Sequence, residues 1–62
     1  MKNLLEVKQT FLVEYHKSAT KMATLYNCYD GSWFLNYIGV DGLGWSSYIK
    51  EIEEDEAKRL IF

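Results

Sequence analysis

The chain has no proline, one cysteine, one histidine and four glycines. Cys28 alone excludes an intrachain disulfide, and Cys28 with His16 cannot complete a zinc site of the usual four-ligand kind. Low-complexity stretches, linkers and repeats are also missing, so a single small domain over residues 1 to 62 is expected. No apolar run approaches the roughly 20 residues that span a bilayer. The opening Met1-Lys2-Asn3-Leu4-Leu5-Glu6 is far short of the apolar core of a signal peptide. A lone thiol without an export signal fits a reducing compartment, so a cytoplasmic location is expected. Basic charge is sparse: the net charge is -2, and residues 31 to 62 hold three basic side chains against six acidic ones. Nucleic-acid binding normally needs a basic stripe, so the composition argues against a nucleic-acid partner, as it does against a membrane. No cofactor is expected.

What is present points to a folded domain. Hydrophobic residues make up 48% of the chain and charged ones 26%, values typical of globular rather than disordered segments. A domain of this length buries only about 60% of the surface its unfolded chain exposes. Such domains usually add a disulfide, a metal or a second subunit. With the first two excluded, a second copy of the chain or a bound protein remains, and a homodimer is the expected form. Two Trp, five Tyr and three Phe could enlarge the core or form a contact surface.

Hydrophobic periodicity places four strands and a helix. From Leu5 to Tyr15, Leu5, Val7, Phe11, Val13 and Tyr15 fall on one face and mostly polar residues on the other, a period of two. A helix over Leu4 to Val13 is the competing reading, but Thr10, Phe11, Val13 and Tyr15 favour a strand. Lys17-Ser18-Ala19-Thr20 reads as a hairpin loop, followed by a strand from about Lys21 to Tyr29. Asp30-Gly31 is a strong signal for a two-residue type I′ hairpin. In that register Cys28 faces Trp33, Tyr26 faces Leu35 and Thr24 faces Tyr37 on one side of the sheet. A slip of one residue would exchange the faces of one strand. The third strand, Ser32 to Val40, ends in the loop Asp41-Gly42-Leu43-Gly44. A fourth, Trp45 to Ile52, carries Trp45 and Ile49 on one face and Tyr48 and Ile52 on the other. From Glu53 the pattern becomes helical: Glu54, Asp55 and Glu56 suit the positive end of the helix dipole and Lys58 and Arg59 the negative end. Ala57, Leu60, Ile61 and Phe62 offer an apolar side. The expected fold is therefore α+β, a four-stranded antiparallel meander with one short C-terminal helix (ββββα). A small closed barrel is the alternative.

One short helix cannot cover both sides of such a sheet. The expected register puts Met22, Tyr26, Trp33, Leu35 and Tyr37 on one face of the central hairpin and Leu25, Tyr29, Phe34, Ile38 and Val40 on the other. Each large side chain left in water forfeits roughly 1.5 to 3 kcal/mol. Strong coiling of the sheet would enclose both sets; otherwise another chain must cover one of them.

The chemistry-bearing residues give no reaction. Cys28 and His16 are formally a nucleophile and a base, but no third orienting group is recognisable. A buried structural thiol and a solvated imidazole are the simpler readings. Glu51, Glu53, Glu54, Asp55 and Glu56 lack the spacing and glycine of a calcium loop, and fit a solvated helix start or an acidic contact patch. Gly39, Gly42 and Gly44 form neither a phosphate-binding loop nor a dinucleotide fingerprint, so turn and bulge duty is expected. The Asp41 to Trp45 segment could present Leu43 and Trp45 to a partner.

The expected function is a non-enzymatic interaction module, self-associating or acting as a small acidic inhibitor or adaptor. Its expected contact residues are Tyr26, Trp33, Leu35, Tyr37, Leu43, Trp45, Glu53, Glu54 and Asp55. The alternative is a ligand-binding module whose aromatics, Tyr26, Trp33, Tyr37 and Tyr48, stack on single-stranded nucleic acid or carbohydrate.

Overall fold

A computed structural model describes residues 6 to 61. Four antiparallel strands, β1 (Val7–Glu14), β2 (Met22–Cys28), β3 (Trp33–Asp41) and β4 (Gly44–Ile52), form one sheet in the order β1-β2-β3-β4. The helix α1 (Glu54–Ile61) follows. This is the ββββα meander expected from the periodicity, and the sheet is open, with β1 and β4 at its edges. The expected contributions of Leu5 to the first strand and of Phe62 to the helix lie outside the described residues. Among the described residues, no helix is long and apolar enough to cross a membrane.

The register differs from the expected one by a single residue. Leu25 faces Leu35, Tyr26 faces Phe34 and Asn27 faces Trp33. The cause is the turn. Tyr29, Asp30 and Gly31 form a three-residue loop, closed by Gly31 N–H donating to the Cys28 carbonyl (3.0 Å) and Cys28 N–H to the Ser32 carbonyl (2.9 Å). Only Gly31 takes a positive φ, +89°, as in a type I turn finished by a glycine bulge. Asp30 Oδ1 accepts from Ser32 N–H (2.9 Å) and Ser32 Oγ (2.6 Å), an arrangement that favours the longer turn. Cys28 therefore does not face Trp33, and Tyr29 stands 73% exposed in the turn rather than on a sheet face.

Shifting β2 against β3 by one position turns β2 over. Ala23 and Leu25 join Trp33, Leu35 and Tyr37 on the inner face, while Met22, Thr24 and Tyr26 join Phe34, Asn36 and Ile38 on the outer face. The inner face is the core: Val13, Ala23, Leu25, Trp33, Leu35 and Ile52 are buried with Ala57 of α1, and Leu60 and Ile61 pack against them. Glu54, Asp55 and Glu56 occupy the first turn of α1. There Ala57 N–H donates to the Glu53 carbonyl (3.0 Å), and Lys58 pairs with Glu54 at 3.7 Å. An eight-residue helix is marginal alone, so the apolar side that it lays on the sheet holds it in place.

Where α1 ends its cover, tyrosines continue it. Tyr15 meets Tyr37 edge to face with centroids 5.2 Å apart, and Tyr37 stacks on Tyr48 at 5.6 Å. Lys50 Nζ lies 5.8 Å from the Tyr15 ring centre and 5.9 Å from that of Tyr37. Hydrogen bonding to Tyr15 raises the Lys50 pKa against the opposing effect of burial.

Gly39 serves neither a turn nor a bulge. It sits within β3 beneath the Tyr48 ring, where an added Cβ would come within 2.7 Å of Cε2. The bulge of this sheet lies between Val7 and Gln9 of β1. The β1–β2 connection is also more than a polar loop. Ser18 is buried, its Oγ donates to the Ile38 carbonyl (3.1 Å), and Ala19 N–H donates to the same carbonyl (2.7 Å).

Candidate interaction surface

The side chains of a strand alternate, so the register fixes what the outer face presents. One row across the sheet reads Thr10, Tyr26, Phe34, Glu51; the next reads Leu12, Thr24, Asn36, Ile49; beyond it Glu14 pairs with Met22 and Ile38 with Ser47; and Val40 pairs with Trp45 near the β3–β4 turn. Several of these are open to solvent: Leu12 is 73% exposed, Trp45 68%, Val40 65% and Ile49 47%. The Asn36 amide in the middle of the face is already engaged within the chain. Asn36 Nδ2 donates to Ser47 Oγ (2.9 Å) and to the Tyr48 carbonyl (3.1 Å). Covering the face would therefore leave that amide's donors paired.

The turn that follows Val40 is pinned by one carboxylate. Asp41 Oδ1 accepts from Leu43 N–H (2.8 Å), and Oδ2 accepts from Ser46 Oγ (2.9 Å) and Tyr48 OH (3.0 Å). These bonds hold Leu43 at the tip, 98% exposed, one position before Gly44, whose φ is +114°. The Leu43 amide is the foremost of the donors that lower the Asp41 pKa, and the Asp41 carboxylate in turn raises that of Tyr48.

The sign of the pH dependence follows. A depressed carboxyl contributes stability above its ordinary value of about 3.9 and loses it as pH falls through the lowered folded value. The Tyr48 phenol, raised, contributes below about 10 and loses its contribution as pH rises through its folded value. A carbon-detected NMR titration should place the Asp41 midpoint below the ordinary range, with the Leu43 amide moving in step. A midpoint at or above about 3.9 would mean that the turn is not held this way.

The expected contact residues divide. Tyr26 is half-buried on the outer face, while Trp45 is exposed there and Leu43 at the tip. Trp33 (8% exposed) and Leu35 (0%) lie in the core on the opposite side, and Tyr37 is half-buried on that inner face. The register shift is the reason: the face that Tyr26 shares is that of Phe34 and Ile38. Glu53, Glu54 and Asp55 are exposed at the start of α1. Missing from the sequence reading were Leu12 and Ile49 as parts of an apolar face and Asp41 as its anchor. An Asp two positions before the residue whose amide it accepts is a recognisable turn signal.

Cys28 and His16 are not brought together. Cys28, 3% exposed, lies at the end of the sheet where Val7 pairs, whereas His16 follows Glu14 at the other end of β1. The length of that strand, about 3.3 Å per residue, separates them. Among the described residues, no group of three or more His, Cys, Asp and Glu side chains could hold a metal ion. Set against protein-family models, curated proteins and solved structures, the chain matches none.

Proposed function

We propose that this chain is a cytoplasmic protein–protein interaction module without catalytic activity, whose working surface is the outer face of the sheet continued over the Asp41 turn. The observation that carries the reading is the exposure of Leu12, Val40, Leu43, Trp45 and Ile49 while α1 packs on the inner face. Contiguous apolar surface beyond a few hundred Å² marks interaction sites. The separation of the one thiol from the one imidazole supports a binding role over nucleophilic catalysis. Glu53, Glu54 and Asp55, exposed on the other side of the molecule, would suit a basic surface on a larger target, the contact expected of an acidic inhibitor or adaptor.

A hydrophobic dye tests the surface. Diluted until it sediments as a monomer, the chain should bind the dye, and a Leu12→Ser, Trp45→Ser double variant with unchanged circular dichroism should bind markedly less. A monomer that binds none would remove the surface from consideration.

A further inference from the structure

A strand at the edge of a sheet leaves a row of backbone N–H and C=O groups unpaired. Cys28 N–H donates to the Ser32 carbonyl (2.9 Å), and bonded pairs recur at every second pair of an antiparallel ladder. Carried through the register, this turns the even-numbered residues of β3 towards β2 and the odd-numbered ones towards β4, whose even-numbered residues answer them. Trp45, Ser47, Ile49 and Glu51 therefore turn their backbone groups away from the sheet.

The two edges are not alike. β1 is interrupted by the bulge between Val7 and Gln9, and Leu60 and Ile61 of α1 lie beside Phe11 to Glu14. β4 keeps one register with β3 from Gly44 to Ile52, with neither bulge nor proline. Its one lysine, a residue that often guards such edges, is drawn back over the Tyr15 and Tyr37 rings. An edge of this kind is a template for another strand.

We propose that the added strand is β4 of a second copy of this chain, antiparallel about a twofold axis at Tyr48, so that two sheets join into one. Side-chain charge selects the copy. Lys50 lies two positions after Tyr48 and Ser46 two before it, so the axis sets each Lys50 opposite Ser46 of the other copy. That Ser46 carries a carboxylate: Asp41 Oδ2 accepts from Ser46 Oγ (2.9 Å) and Tyr48 OH (3.0 Å), on the same inner face as Lys50. Each copy thus offers a cation where the other offers an anion, and the match is made twice. An exposed lysine–ring contact is worth only about 0.5 to 1 kcal/mol, a small hold against the Lys50 stem extending to that carboxylate. Glu51 meets Trp45, and the two Glu51 residues stand about 20 Å apart along the seam, beyond the ~8 Å screening length of physiological salt.

The backbone selects the same axis. Centred on Tyr48, Trp45 pairs with Glu51 and Ser47 with Ile49 of the other copy, and every outward residue has a partner. Centring on Ser47 leaves Glu51 over, centring on Ile49 leaves Trp45 over, and centring on Lys50 sets the two lysines against each other. The dimer does not use the outer faces and is independent of what docks there; it lays them side by side, with Trp45 and Ile49 of both copies along the seam.

Sedimentation and amide hydrogen exchange across the micromolar range test the proposal. Wild type should convert from monomer to dimer with rising concentration. The Trp45, Ser47, Ile49 and Glu51 amides should then exchange more slowly, while those of Thr10 and Leu12 on the β1 edge stay unchanged. Lys50→Glu, its folding checked by circular dichroism, sets a carboxylate beside Asp41 twice and should weaken the dimer by about tenfold or more. Glu51→Gln, opposite a neutral ring, should leave it intact. A chain that stays monomeric at every concentration overturns the arrangement. So does a dimer whose four β4 amides are unprotected, or one that Lys50→Glu leaves as tight as wild type. The exchange measurement on wild type decides the matter even where the variant fails to fold.

Discussion

Leu25→Ala is expected to remove most of the stability of this fold. Leu25 is completely buried, flanked in its row by Phe11 on β1 and Leu35 on β3, so it has neighbours on both sides as well as above. Truncating such a leucine typically costs about 2 to 5 kcal/mol, through lost transfer energy and the cavity left behind. Domains carry roughly 0.05 to 0.15 kcal/mol of stability per residue, so a chain this short has little beyond that loss. Urea denaturation followed by Trp fluorescence would measure it. A cost below about 1 kcal/mol would mean that the site collapses around the smaller side chain or that Leu25 is not central.

Ala57→Glu is expected to separate the helix from the sheet. Ala57 has no exposed surface, and it stands where α1 touches the core. Glutamate is itself a good helix former, so the substitution leaves the local propensity of α1 nearly unchanged. It acts instead by forcing a carboxylate into the contact or lifting the helix off it, at about 2 kcal/mol or more. Thermal unfolding should move to lower temperature, and amide exchange along α1 should rise towards that of an isolated peptide. Asp55→Ala, two residues earlier and exposed, should change little. Equal effects of the two substitutions would show that α1 is held by its own charge pattern rather than by docking.

The elements were readable because their apolar spacing is plain. Phe11, Val13 and Tyr15 recur at every second position, and Ala57, Leu60 and Ile61 recur at helical spacing. The division of β4 into Trp45 and Ile49 against Tyr48 and Ile52 was readable for the same reason. What the sequence did not give away was the parity of β2. Met22, Ala23, Thr24, Leu25 and Tyr26 carry usable side chains on both faces, so their pattern does not choose between two registers. The choice rests on whether the turn takes two or three residues, and Asp30-Gly31 suits both, since each ends with a glycine at positive φ. That one residue separated Tyr26 from Trp33 and Leu35, and the side on which α1 packs then made Trp33 and Leu35 core. The role of Gly39 was hidden for a different reason: it depends on a ring from the neighbouring strand, and no local pattern records Tyr48 lying over it.

The three donors gathered on Asp41 have a thermodynamic meaning for whatever approaches the end of the hairpin. A loop that must freeze when it is captured subtracts the lost freedom from its affinity. Here Leu43 projects from a backbone whose geometry is already set by Ser46, Tyr48 and its own amide, so that subtraction is made during folding. An encounter at this tip begins with the anchor preorganised, and only the leucine side chain has rotamers left to surrender.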